Sequence, residues 1–155
     1  MRLFIKKEKP KLYAKRMARA KAQDGLKTGY DIIIGADTVV VLDGKILGKP
    51  IDESDAKNML GRLSGRQHKV ITAIAVIFPK TGRILAKEVE TKVWFKKISK
   101  TEIDRYVATS EPMDKAGAYG IQGVGAFLVM KIKGSYSGVV GLPLYETLQL
   151  LTNSN

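Results

Sequence analysis

The sequence predicts a single α/β or α+β domain, and three observations lead to that prediction. Stretches rich in Ile and Val, typical of strands, alternate along the chain with amphipathic stretches of helical spacing. A chain of 155 residues is the usual size of one domain and buries about two-thirds of its surface on folding. No internal repeat or low-complexity linker divides it.

A helix is predicted first, over residues 10–23, because apolar side chains recur there at helical spacing and Gly25 follows. A buried strand is predicted over residues 31–42, which are rich in Ile and Val. The dipeptide Asp43-Gly44 that follows is typical of a hairpin turn. Residues 46–50 then predict a short strand and loop.

The middle of the chain predicts a helix and a long hairpin. Residues 53–64 share an apolar face, with Asp52 as the N-cap and Gly65 as the stop. Residues 70–78 and 84–95 alternate apolar and polar side chains, so we expect two antiparallel strands joined by a short turn.

The last third predicts a helix, a loop, a strand and a closing helix. Ser99 and Glu102 match a capping box at the start of the first helix. Residues 110–125 contain four glycines and no continuous apolar run, so we expect a long loop of the kind that carries function. The strand is expected over residues 127–132, and the helix over residues 142–151.

Composition excludes several classes of protein. With 45% hydrophobic and 27% charged residues, the chain is neither disordered nor fibrous. It has no cysteine, which excludes disulfides, thiolate nucleophiles and Cys-based metal sites. Its apolar runs are far shorter than the roughly 20 residues that span a bilayer. The first ten residues lack the apolar core of a secretory signal. We therefore expect a cytoplasmic protein without a membrane partner.

The net charge of +12 is concentrated at the start of the chain. Residues 1–30 hold ten Lys or Arg residues and two acidic ones. Such a segment favours a ligand that carries phosphates. That ligand could be a nucleotide, a nucleic acid or an anionic membrane surface. The alternative is a solvated, charged helix face.

Two charged residues stand in unusual positions. Asp37 interrupts an apolar strand, where a carboxylate is costly unless it is paired or faces a cleft. It can hold a divalent cation or accept a proton from an attacking water, or it can bond structurally to nearby backbone. Lys49 lies between Gly48 and Pro50, a stiff mounting for an ammonium that meets a phosphate, although an ordinary surface lysine also fits.

Two further segments could bind an anion or a base. Arg62, Arg66, His68 and Lys69 cluster after a helix, where cations also simply stabilise the helix C-terminus. His68 is the single histidine, so a multi-His metal site is excluded. Residues 111–123 mix acids, Lys115 and the amide of Gln122 with glycines, either to contact a ligand or to pack the loop. No P-loop or dinucleotide-binding fingerprint is present.

Several motifs, in order along the chain, resemble the Maf family of nucleoside triphosphate pyrophosphatases. The resemblance runs from about Tyr13 to the C-terminus and includes residues 35–38, 47–50, 62–68, 111–123 and 139–143. It implies hydrolysis of the α-β phosphoanhydride of a nucleoside triphosphate, with Mg²⁺ or Mn²⁺ as cofactor. It also implies a homodimer and a Maf-like fold similar to inosine triphosphate pyrophosphatases, with a mixed sheet, flanking helices and two lobes around a cleft.

The resemblance also implies roles for individual residues. Asp37 matches the family's general base and metal ligand, and Lys49 a catalytic lysine that touches phosphates. Thr38 and Gln122 match positions that mark the branch acting on dTTP and UTP. The other positions that match substrate-binding residues are basic: Lys21, Arg66 and Lys115.

One family motif has no counterpart in this chain. Family members begin with a strand and a Ser-x-Ser-Pro-Arg-Arg turn that grips phosphates. This sequence opens instead on residues 1–9, where Glu8 is the one candidate for a family acidic residue. We therefore expect residues 1–155 to form one Maf-like domain that is shortened at its N-terminus. The alternative to a dTTP and UTP pyrophosphatase is a catalytically impaired Maf-fold protein that binds nucleotides or nucleic acid.

Overall fold

The computed structural model describes residues 7–153, which form a five-stranded sheet with helices on both faces. The helices are α1 (Pro10–Asp24), α2 (Glu53–Leu63), α3 (Lys100–Ala108), α4 (Tyr136–Val140) and α5 (Leu144–Thr152). The strands are β1 (Ile33–Leu42), β2 (Lys45–Leu47), β3 (Gln67–Phe78), β4 (Arg83–Phe95) and β5 (Val129–Lys133). The predicted α/β fold class is confirmed. The sheet of the described residues is not mixed as expected, because each pair of neighbours in the order β2-β1-β3-β4-β5 is antiparallel.

The hairpin of β1 and β2 forms where the sequence predicts it. Asp43 and Gly44 both have positive φ angles, of 50° and 74°, as a primed hairpin turn requires. The short strand β2 pairs only with Val40, Val41 and Leu42 of β1. Along its other edge, β1 pairs with β3 from Ile33 to Val41.

One face of the sheet is covered by α1. Its buried side chains, Tyr13 and three alanines, pack against apolar residues of β1 and β3. The approach is close at Gly35, where an added Cβ would lie 2.3 Å from the carbonyl oxygen of Ala18. Small residues on both elements therefore bring the C-terminal part of α1, including Lys21, directly onto β1.

The second face of the sheet is covered by α2, α3 and the segment that follows α3. Their apolar side chains form a second core with Val40 and Leu42 of β1, Val70 of β3 and Phe95 of β4. Both predicted helix starts are confirmed. Asp52 accepts a hydrogen bond from Asp55 N, and Ser99 and Glu102 form the capping box.

The structure differs from prediction in several short segments. The chain continues beyond Gly25 as a 3₁₀ turn, Gly25–Thr28. Residues 110–125 contain further 3₁₀ turns, so β5 begins later than expected. The short helix α4 was not predicted, because its five residues YSGVV are too few to show a helical period and include a glycine.

Much of the positive charge on α1 is neutralised within the fold. Lys11 lies 3.4 Å from Glu90, Lys15 lies 2.9 Å from Glu88, and Arg16 lies 2.7 Å from Glu8. The charged helix face anticipated as an alternative therefore accounts for part of the basic segment, whose residues 1–6 lie outside the described residues. None of the helices in residues 7–153 combines the length and apolar character that a membrane crossing needs.

Candidate active site

Five of the predicted site residues line one cleft of about 330 Å³: Lys21, Thr38, Lys49, Lys115 and Gln122. They come from α1, from β1, from the loop after β2 and from the segment between α3 and β5. The end of α4 and the residue after it also line the cleft, with Val140 and Gly141. Residues far apart in sequence are thus brought together.

Asp37 lies behind the cleft and not on its wall. Its neighbour Thr38 lines the cleft, and because successive strand residues point to opposite faces, Asp37 points toward α1. Its side chain is fully buried, and Oδ1 accepts a hydrogen bond from Lys21 Nζ at 2.8 Å. The same ammonium donates to the carbonyl oxygen of Ala36 at 3.0 Å. Lys21, nearly half exposed, therefore connects the buried carboxylate to the cleft.

The segment that carries Lys115 is held against β1 and the Lys49 loop. Gly117 N donates to the carbonyl oxygen of Gly48 at 3.0 Å. The same glycine has a φ of 70°, and an added Cβ would lie 2.8 Å from Val40. Lys49 and Lys115 are thereby brought to the same cleft.

An acidic residue, Asp114, lies beside Lys115 in this cleft. Asp114 lines the cleft, and its Oδ1 accepts a hydrogen bond from Lys115 Nζ at 3.0 Å. That hydrogen bond lowers the pKa of Asp114, and the charge of Lys49 lowers it further. Asp114 therefore stays ionised at neutral pH, and the cleft contains both cations and a carboxylate.

The glycine-rich segment that presents Gln122 is organised by Glu111. The Glu111 carboxylate accepts hydrogen bonds from Tyr106 Oη at 2.8 Å, Val124 N at 3.0 Å and Gly125 N at 2.9 Å. Burial acts to raise the pKa of Glu111, but these hydrogen bonds outweigh it and lower the pKa. In the sequence Glu111 is one of several acids of the loop, and its contacts show that it holds the loop in shape.

The predicted basic cluster after α2 does not converge on the cleft. Arg66 binds Asp43 at 2.6 Å, and Lys69 binds Glu90 at 3.1 Å. His68 is buried, and its Nε2 lies 2.6 Å from Tyr119 Oη. Burial lowers the pKa of His68 from 6.5 to about 4, so the ring is neutral at physiological pH. His68 therefore supports Tyr119, which lines the cleft, and offers no positive charge to a ligand.

One buried polar residue beside the cleft was not predicted from the sequence. Thr72 on β3 pairs across the sheet with Thr38, and their hydroxyl oxygens lie 2.8 Å apart. Thr72 Oγ1 also donates to the carbonyl oxygen of Gly138 in α4. The signal available in the sequence was a hydroxyl within the apolar run Val70–Phe78, since buried hydroxyls need partners.

The cleft suits a cation that arrives with its ligand. Across residues 7–153, no group of three or more His, Asp or Glu side chains is placed to hold a metal ion. Mg²⁺ is commonly held by one or two carboxylates together with substrate phosphates. Asp37 and Asp114 are the carboxylates beside this cleft, so the residues present fit a metal–nucleotide complex.

Comparison with known proteins identifies the family to which this chain belongs. A family model described as Maf-like protein matches residues 2–154. The chain belongs to the Maf family. The motifs that resemble this family are thus part of a match over nearly the whole chain.

Curated Maf relatives carry a consistent name. A protein of Shewanella denitrificans named dTTP/UTP pyrophosphatase is 53% identical over 148 residues, which are 93% of this chain and 74% of the relative. Proteins of the same name from Aliivibrio fischeri and Geotalea uraniireducens are 51% and 50% identical. Both alignments cover 93% of this chain, and they cover 78% and 75% of those relatives.

Proposed function

We propose that this Maf protein is a nucleoside triphosphate pyrophosphatase acting on dTTP and UTP. It cleaves the α-β phosphoanhydride and releases the nucleoside monophosphate and pyrophosphate. The observation that carries the proposal is the convergence of three lysines, Thr38 and Gln122 on one cleft. The names of the relatives, at about half identical residues, support the same substrates.

The three lysines suit the triphosphate. A bound triphosphate carries roughly four negative charges, which repel an attacking water until cations neutralise them. Lys21, Lys49 and Lys115 approach the cleft from three elements of the fold. Preorganised positive charge of this kind is the main contribution that a protein makes to phosphoryl transfer.

Asp37 is the proposed general base, and Lys21 controls its accessibility. In the structure, Lys21 covers the buried carboxylate. Phosphate oxygens in the cleft compete for the Lys21 ammonium, because that side chain is half exposed and reaches the cleft. Asp37 then accepts a proton from the attacking water as the bond to the pyrophosphate leaving group breaks.

The proposed cofactor is Mg²⁺ or Mn²⁺, which neutralises phosphate charge and polarises the phosphate that is attacked. Asp37 is the proposed ligand from β1, together with phosphate oxygens of the substrate. Asp114, which accepts a hydrogen bond from the Lys115 ammonium, is a second carboxylate available to the metal–nucleotide complex.

The base is proposed to meet Gln122. An amide both donates and accepts hydrogen bonds, as do the Watson–Crick edges of uracil and thymine. Glu111 and its hydrogen bonds to Val124 and Gly125 hold the segment that presents this side chain. Gln122 therefore sits on a preorganised loop.

The deciding experiment is pyrophosphate release from dTTP, UTP, CTP, GTP and 7-methyl-GTP with Mg²⁺ or Mn²⁺. The chain is compared with Asp37→Asn and with Asp43→Asn, which alters an acid outside the cleft that binds Arg66. We expect dTTP and UTP to be preferred, Asp37→Asn to be inactive and Asp43→Asn to be active. Nucleotide binding without turnover by the folded wild-type chain would contradict the proposal and support a binding protein.

Three broader features complete the proposal. Residues 1–155 act as one domain, two copies form a homodimer, and the protein works in the cytoplasm, where the family resemblance implies that it removes non-standard nucleotides. The dimer is tested by sedimentation of the purified chain at several concentrations. A single monomeric species throughout would contradict it.

A further inference from the structure

Three oxygen atoms form a row that begins at the wall of the cleft. Thr38 Oγ1 is at the cleft, Thr72 Oγ1 lies 2.8 Å behind it, and the carbonyl oxygen of Gly138 lies 2.5 Å further on. Thr72 is fully buried. The row joins neighbouring strands of the sheet to α4, whose following turn is also part of the cleft wall.

The direction of each hydrogen bond in the row follows from counting protons. A carbonyl oxygen can only accept, so the single hydroxyl proton of Thr72 goes to Gly138. Thr72 then has no proton for Thr38, and the contact between the two hydroxyls requires Thr38 to donate. The proton of Thr38 is then used, so the Thr38 oxygen can only accept a hydrogen bond from a ligand in the cleft.

We infer that Thr72 is a specificity-determining residue, which fixes Thr38 as a hydrogen-bond acceptor for the imide N3–H of uracil or thymine. This inference rests on the proposed function. A phosphate oxygen is itself an acceptor, so it would be repelled at Thr38. The group that meets Thr38 is therefore a donor of the nucleotide.

Two donors are shared by dTTP and UTP, the imide N3–H and the 3′-hydroxyl. CTP has the same 3′-hydroxyl, but its base presents a lone pair at N3 in place of the N–H. An acceptor at Thr38 distinguishes uracil and thymine from cytosine only if it meets N3. A site built to bond an N–H strongly rejects an analogue without it, because the buried acceptor is then left unpaired.

The first test compares Thr72→Val, which keeps the shape but removes the hydroxyl, with Thr72→Ser, which keeps the hydroxyl. Thr91→Val is the matched control, because Thr91 is a buried threonine that bonds to Ser135, the N-cap of α4, and does not line the cleft. Circular dichroism checks that each variant folds. We measure kcat/KM for UTP and CTP with all four chains.

In Thr72→Val, the proton of Thr38 is released to point into the cleft and bond cytosine N3. We expect the ratio of kcat/KM for UTP to kcat/KM for CTP to fall at least about tenfold in Thr72→Val. The ratio should be unchanged in Thr72→Ser and in Thr91→Val. An unchanged ratio in Thr72→Val, or an equal fall in Thr91→Val, would overturn the inference.

A second test uses the unaltered chain and does not depend on a variant that folds. UTP methylated at N3 lacks the imide donor, and dTTP without its 3′-hydroxyl lacks the other one. We expect the N3-methyl compound to lose at least about a hundredfold in kcat/KM and the 3′-deoxy compound to lose little. The reverse pattern would place the sugar at Thr38 and overturn the inference.

Failure of the proposed function can be distinguished from failure of the inference about Thr38. A folded chain that turns over no nucleotide contradicts the proposed reaction. Calorimetric binding of UTP and N3-methyl-UTP then still tests the acceptor at Thr38. Equal affinity for these two ligands would overturn the inference as well.

Discussion

Lys21 and Asp37 form an ion pair of 2.8 Å between α1 and β1, in which the carboxylate is fully buried and the lysine is nearly half exposed. The pair is asymmetric, because one partner belongs to the interior and the other also belongs to the cleft wall. A change at Lys21 should therefore affect both the stability of the fold and the binding of phosphates.

Replacing Lys21 with Met should destabilise the protein. The substitution keeps the length of the side chain but leaves Asp37 without the ammonium, and removing one partner of a buried pair is costly. Since Lys21 is partly exposed, we expect a loss of about 2 kcal/mol in the free energy of unfolding. Urea unfolding measures it, with Lys27→Met as the control on the neighbouring 3₁₀ turn. Equal stability of the two variants would contradict a stabilising pair.

Lys115 and Arg66 should differ in their effect on turnover. Lys115 lines the cleft, whereas Arg66 is bound to Asp43 away from it. Lys115→Ala should lower kcat/KM at least about tenfold, because a phosphate loses a cation. Arg66→Ala removes the same charge and should leave kcat/KM close to the wild-type value. Similar losses in the two variants would show that Arg66 also reaches the substrate.

Substituting Gln122 should change substrate preference. Its amide is proposed to read the base, so Gln122→Ala should lower kcat/KM for dTTP and UTP more than for GTP. Steady-state kinetics with the three nucleotides measures the change. Gln67→Ala is the control, because Gln67 is an exposed residue at the start of β3 and outside the cleft. A uniform loss for all three nucleotides would indicate a structural role for Gln122.

Stability should fall in weak acid because of His68. Its pKa is lowered by burial to about 4, so between pH 6.5 and pH 4 the unfolded chain binds a proton that the folded chain does not. The neutral ring therefore contributes its full share to the free energy of unfolding above pH 6.5. We expect that free energy to fall by roughly 3 kcal/mol on going from pH 7.5 to pH 4.

Urea unfolding of the wild type and of His68→Gln across this pH range measures the effect. The variant lacks the titrating ring but keeps a polar group beside Tyr119, so its stability should fall less steeply with acid. Other acids titrate equally in both proteins, and His68 is the single histidine. Identical slopes would contradict a buried, neutral imidazole.

Local patterns in the sequence predicted most of the fold. The Asp43-Gly44 turn and the caps at Asp52 and Ser99 act within a few residues, so the sequence alone identified them. Sequence periodicity likewise identified the apolar face of α2. The short helix α4 was missed, because it depends on a cap at Ser135 and on packing more than on a period.

The motifs of the candidate site were identified from the sequence, but their arrangement was not. Asp37 and Thr38 are adjacent in the chain, but successive strand residues point to opposite faces of the sheet. Asp37 therefore points toward α1, and Thr38 lines the cleft. Arg66 matches a basic position in the family, but an aspartate 23 residues away binds it. Such pairings depend on register and on packing between distant segments.

The sequence by itself determined that this chain forms a Maf fold, and it supplied the residues proposed to bind a nucleotide. Tertiary structure decided which of those residues share the cleft, that Lys21 covers Asp37, and that Thr72 orients Thr38. The bond from Thr72 to Gly138 spans 66 residues. No local preference encodes it, because two segments so far apart meet only after the sheet has fixed their register and α4 has packed against it.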